Sequence, residues 1–155
     1  MRTEAAGVAI LVAALLAGCG GSSQPREDPG AFAVGVVENI VHNRYSEAWS
    51  SLHPTDQKVA PRGEYVSCES RCPVVTQPLS VKVVGVDNES VGLGDGSFVK
   101  SKAVNVRMTF AGGFRLTHTV HLVAVGGRWR FILPSWRFRD YRANRCPAVT
   151  GTGVT

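Results

Sequence analysis

The 155-residue chain is short of acidic residues, cysteines and long apolar runs, and each shortage closes off a class of protein. Only 12 Asp and Glu stand against 17 Lys and Arg, and Asp87, Glu89 and Asp95 fall where the pattern predicts turns. No carboxylate is expected on an inward strand position beside a histidine, which argues against an acid–base dyad. Four cysteines are too few for a disulfide-dense scaffold, and their spacing is not that of a zinc ribbon. There is no HExxH, no serine-centred elbow and no phosphate-binding glycine loop, so no metal or cofactor is expected. Internal repeats and βαβ alternation are also missing, which excludes solenoids and doubly wound folds. With 44% hydrophobic and 19% charged residues, the chain is not of the disordered acidic type. Its length suits one domain and not comfortably two.

The longest apolar run, Ala5 to Ala17, has 13 residues. As a helix it would reach about 20 Å, against a hydrocarbon core of about 30 Å. It is too short to span and fits the apolar region of an export signal, behind a weak positive start at Arg2 that Glu4 cancels. The run closes on Leu16-Ala17-Gly18-Cys19, followed by Gly20-Gly21-Ser22-Ser23. This resembles the bacterial lipobox, in which small residues precede a cysteine that is lipidated and becomes the mature N-terminus. The expected organisation is a signal peptide over 1–18, a flexible tether over 19–28, one domain over 29–147 and a disordered tail over 148–155. Cys19 would carry the lipid and hold the protein on the extracytoplasmic face of the bacterial cell membrane. Several acyl chains, each burying methylenes at about 0.8 kcal/mol apiece, make such an anchor stable.

With Cys19 lipidated, three thiols remain in an oxidising compartment. One disulfide and one leftover thiol is the natural count, with Cys146 paired to Cys68 or Cys72. Closing a loop of about 75 residues is worth on the order of 4 kcal/mol.

Asp28-Pro29 reads as a capped helix start, and Phe32, Val36, Val37, Ile40 and Val41 recur at helical spacing behind it. A short helix from Ser46 turns Tyr45, Ala48, Trp49 and Leu52 to one side and is expected to stop at Pro54. A third is expected around Pro61 to Ser70, with Tyr65, Val66 and Cys68 inward. After Pro73 the period becomes two. Leu79, Val81 and Val83 open a strand, Asp87-Asn88 is expected to turn, and Gly94-Asp95-Gly96 turns again. Phe98 to Phe110, Phe114 to Val125 and Arg128 to Leu133 read as strands joined at Gly112-Gly113 and Gly126-Gly127. A last extended piece is expected over Trp136 to Tyr141. The fold class is α+β: N-terminal helices packed on an antiparallel sheet.

This order, with Tyr45-Ser46-Glu47-Ala48-Trp49, Leu52-His53-Pro54 and the strand Gly127-Arg128-Trp129-Arg130-Phe131-Ile132-Leu133, resembles the nuclear transport factor 2-like superfamily over roughly residues 29 to 140. That superfamily includes the ketosteroid isomerase-like and SnoaL-like proteins. The resemblance implies a strongly curved, cone-shaped (cystatin-like) sheet wrapped around the first helix and enclosing an apolar pocket. It leaves function open, because such folds bind small molecules, catalyse isomerisation or dehydration, or mediate protein contacts.

The pocket so implied would be lined by His118, Phe114, Leu116, Val120 and Trp49. His118 shares a strand face with Phe114, Leu116, Val120 and Leu122, where it is either a general base or a core histidine with one satisfied hydrogen bond. His121 points to the opposite, solvated face. His53 ties the turn after the second helix, and His42 ends the first helix, where its charge complements the dipole.

The net charge of +5 is concentrated near the C-terminus, where six arginines between 128 and 145 have Asp140 alone as an ion-pair partner. Arg128, Arg130, Arg137, Arg139 and Arg142 alternate with aromatic residues. Such interleaving suits single-stranded nucleic acid, but export removes that partner, and strands with buried aromatics produce the same pattern. The expected partners are the membrane through lipidated Cys19, an anionic lipid or cell-wall polymer at the arginine face, or an envelope protein. The functional expectation is a membrane-anchored, non-enzymatic binding or interaction module. The alternative is a small isomerase or lyase with His118 as base.

Overall fold

The computed structural model describes residues 24–148. Cys19 and the 1–18 segment lie outside the described residues, as does most of the 148–155 tail. Among the described residues, five α-helices and a four-stranded sheet make an α+β fold. Helices α1 (Pro29–Val41), α2 (Tyr45–Ser50), α3 (Pro54–Val59) and α4 (Arg62–Glu69) come first. Strands β1 (Ser80–Gly92), β2 (Phe98–Thr109), β3 (Arg115–Val125) and β4 (Arg128–Phe131) follow, and then α5 (Ser135–Arg142). Among the described residues, no helix is long and apolar enough to cross a membrane.

Helix α1 starts as its sequence dictates. The Asp28 carboxylate accepts from the Ala31 N–H at 2.9 Å, and Pro29 occupies the first turn, where its missing donor costs nothing. Its Ala33, Val36, Val37 and Val41 are buried. The strands run antiparallel in the order β1-β2-β3-β4. One sheet face carries Val104, Val106 and Met108 of β2 with Val120 and Leu122 of β3, and it packs on α1 in the main core. Trp129 and Phe131 of β4, Tyr45, Ala48 and Leu52 near α2, and Phe138 and Tyr141 of α5 complete that core. A smaller cluster of Leu93, Val123 and Ile132 sits apart from it. Gly126 and Gly127, at φ 57° and 73°, make the left-handed turn that brings β4 back on β3.

Three local expectations are corrected. Pro54 does not simply stop α2; it opens α3, with His53 as its cap accepting from the Thr55 N–H at 3.2 Å. A proline suits a first helical turn as well as it ends a preceding one. Asp87 and Asn88 do not turn: both lie inside β1, paired to Ala103 and Lys102, and Asn88 accepts from the Lys102 ammonium at 2.6 Å. Long-range pairing with β2 overrides their local turn preference. Residues 136–141 are helical, not extended. The aromatic–arginine alternation of β4 stops at Pro134, and Phe138 and Tyr141 are then three apart on the buried side of α5.

Cys68 on α4 is bonded to Cys146 beyond α5, with 5.2 Å between their Cα atoms and 78 residues of separation. Among the described residues, Cys72 is a free, exposed thiol. The same two helices are held by Tyr65 stacked on Tyr141, their centroids 5.9 Å apart, and by Glu69. The Glu69 carboxylate accepts from Tyr141 Oη at 2.6 Å and pairs with Arg137.

Candidate functional site

The residues just before α1 are fixed where they meet the sheet. Trp129 donates its indole N–H to the Glu27 carbonyl at 2.8 Å, and Asp28 caps α1 beside it. The result is an open cleft of about 620 Å³ between that segment and the start of β4. Among the described residues it is lined by three arginines, Arg26, Arg128 and Arg130, with Glu27 as the one acid. Arg130 is held in part by donating to the Ser50 carbonyl. A second open hollow, of about 440 Å³, lies over Ser46, Arg62 and Val66.

The arginines from 128 to 142 divide between two elements. Arg128 and Arg130 belong to the β4 cleft, while Arg137, Arg139 and Arg142 belong to α5. Arg137 is tied down by Glu69 and lies over the Trp136 ring at 5.6 Å. Arg145 pairs with Asp140 at 2.9 Å, the ion pair expected for that aspartate. Arg139 and Arg142 are exposed.

None of the residues expected to line an apolar pocket lines either of the two clefts above. Val120 is buried in the core, with Leu116 packed against it from the same strand face. Phe114 is 63% exposed at the β2–β3 turn, where it meets Phe110 at 5.8 Å between centroids. Trp49 sits on α2 and donates its indole N–H to the Ala60 carbonyl at 2.7 Å, so it closes the α2–α3 corner. His118 lies on the core face opposite Val106, half-buried. Burial, and then the charge of His121, pushes its pKa below the ordinary histidine value and favours the neutral ring. Neither cleft described above is lined by His118.

The other histidines are partnered. His42 ends α1 with Nδ1 at 2.8 Å from the Glu38 carbonyl. His53 caps α3, and desolvation there lowers its pKa. His121 is not free in solvent but half-buried, with Nδ1 against the carboxylate of Glu89, which stands in β1 and not in a turn. The pair crosses β2 on the sheet face away from α1, and nothing short of the strand register reveals it.

The sequence reading missed Asp56. It is fully buried, and one carboxylate oxygen accepts from the Leu133 N–H at 3.0 Å. The other oxygen has no partner among the described residues. Desolvation raises its pKa to about 6. His53-Pro54 followed by an acid at the third helical position is a legible helix start, but only the fold shows that the carboxylate turns inward under the β4–α5 link. Among the described residues, no group of three or more His, Cys, Asp or Glu is placed to hold a metal ion.

No family model, no curated protein and no solved structure matches this chain.

Proposed function

We propose that this chain is a bacterial lipoprotein, anchored by Cys19, whose domain is a nuclear transport factor 2-like, cone-shaped module that binds without catalysis. The observation that carries the reading is the arginine cleft at the root of the tether. Five Cα steps separate Cys19 from Gln24, which itself lines that cleft. At about 3.4 Å per residue, the anchor lies no more than about 17 Å from it. Arg26, Arg128 and Arg130 would therefore stand within reach of a surface rich in phosphate groups, where each is worth about 1 kcal/mol. The Cys68–Cys146 bond suits the oxidising side of the membrane. The ligand class is anionic: phosphate-bearing lipid headgroups or cell-wall polymers.

The isomerase or lyase alternative, with His118 as base, has less in its favour. A base needs a cavity and an acidic or phenolic partner within hydrogen-bond reach. Among the described residues, no side-chain hydrogen bond is made to the His118 ring, unlike the rings of His42 and His53.

Flotation of the chain begun at Gly20, which carries neither the lipid nor the apolar run of residues 5–17, tests the binding surface without the anchor. Binding is expected to vesicles containing phosphatidylglycerol, or to inorganic polyphosphate, and not to phosphatidylcholine alone. Replacing Arg26, Arg128 and Arg130 together by alanine is expected to weaken it at least tenfold, with the melting curve retained. Equal binding to neutral and anionic vesicles, with no response to polyphosphate, would sink the reading.

A further inference from the structure

We infer that two copies of this chain pair edge to edge through β1, making one continuous eight-stranded sheet about a two-fold axis between Val84 and Gly85. Strand β1 is 13 residues long and stands at the edge of the sheet. Among the described residues, no backbone hydrogen bond reaches its outer side. Val83, Val84 and Val86 are 38%, 43% and 42% exposed there, a row of apolar residues on an unpaired edge. An edge of this kind recruits another strand unless something blocks it.

The bulge decides which strand. Val81 and Val83 are opposite Met108 and Val106 on the core face, and Val86 is opposite Val104 on that same face. Two residues, Val84 and Gly85, therefore stand between Val83 and Val86 where regular alternation allows one, and Gly85 is the one opposite Asn105. The side-chain alternation of β1 changes phase at this point. A regular strand laid along this edge keeps faces matched on one side of the bulge only. A second β1, antiparallel, carries the same change of phase in mirror order.

When Val84 of one copy opposes Gly85 of the other, every opposed pair from Ser80 to Glu89 shares a face. Val83 then meets Val86, and Val81 meets Asn88, on the core side. Lys82 meets Asp87 on the other side, twice by symmetry, and Ser80 meets Glu89. Lys82 and Asp87 are both exposed in the single chain. A shift of two places sets Gly85 against Val86, which belong to opposite faces. Phase thus selects one closed, isologous pair over open-ended stacking, and the two Lys82–Asp87 contacts add to it.

Sedimentation velocity of the full chain in a mild detergent tests this, with Cys72→Ser so that the exposed thiol cannot cross-link two copies. The expected result is a dimer that dissociates on dilution. Lys82→Glu creates two like-charge pairs and is expected to weaken association at least tenfold, with an unchanged melting curve at a dilution where both proteins are monomeric. Lys82→Asp combined with Asp87→Lys restores opposite charges and is expected to recover the dimer. Hydrogen exchange supplies a check free of substitution: outward amides of β1 slow as concentration rises. A chain that stays monomeric at the highest concentration reached overturns the inference. So does a dimer indifferent to Lys82→Glu, a swap that fails to rescue, or β1 exchange that ignores concentration.

Discussion

Asp56 offers the sharpest test of the energetics, because its charge is buried against a single N–H donor. Its carboxyl titrates near 6 in the folded chain against 3.8 for a free aspartate. A folded-state pKa raised above the unfolded value means that the native state holds the proton more tightly. Stability from this group therefore falls as pH rises from about 3.8 to about 6 and is level beyond. At 1.36 kcal/mol per pH unit, the charged form costs the native state about 3 kcal/mol at neutral pH. Asp56→Asn removes the charge and keeps an oxygen for the Leu133 N–H. The amide adds its own desolvation cost, but that cost does not vary with pH. Urea unfolding of both proteins at pH 4, 5, 6 and 7.5 isolates the charge. Part of the penalty is already present at pH 4, so the stability of the variant relative to the parent should rise by about 2.5 kcal/mol between pH 4 and 7.5. His53 and His118, whose lowered pKa values destabilise the fold below about 6.5, are common to both proteins and cancel. A difference that is constant with pH, or that shrinks as pH rises, would refute the assignment of a desolvated carboxylate.

Two further perturbations probe the packing. A Cβ built at Gly94 would overlap the Phe138 ring, so Gly94→Ala should cost about 1–3 kcal/mol by overpacking, read as a lower urea midpoint at unchanged slope. Removing the Cys68–Cys146 bond by paired alanine substitution should cost about 2–5 kcal/mol, whereas Cys72→Ser should leave the midpoint in place.

What the sequence made legible was whatever depends on short-range pattern. The cap at Asp28, the α1 stripe, the inward face of β2 and the two glycine turns are written in neighbouring residues, and they appear where the pattern predicts them. Cys146 was legible as a disulfide partner, but the choice of Cys68 needed the geometry of α4 against the end of α5. What failed depended on distant partners. Asp87 and Asn88 carry turn chemistry that only pairing with β2 overrules, and the inward turn of Asp56 is decided by the Leu133 backbone 77 residues away. The arginine alternation misled for a different reason: it joins a strand and a helix across Pro134, and two periods in series read as one. The basic cleft was likewise half visible, since Arg128 and Arg130 stand in the arginine-rich stretch while Arg26 comes from the segment before α1.

We propose that Cys19 holds this domain to a membrane. Metabolic labelling with an alkyne fatty acid, followed by intact mass of the purified chain, tests it most directly. The expected result is a labelled protein whose mature N-terminus is Cys19 and a Cys19→Ala variant that carries no label. Label retained by Cys19→Ala, or an unlabelled parent whose N-terminus lies elsewhere, would contradict it.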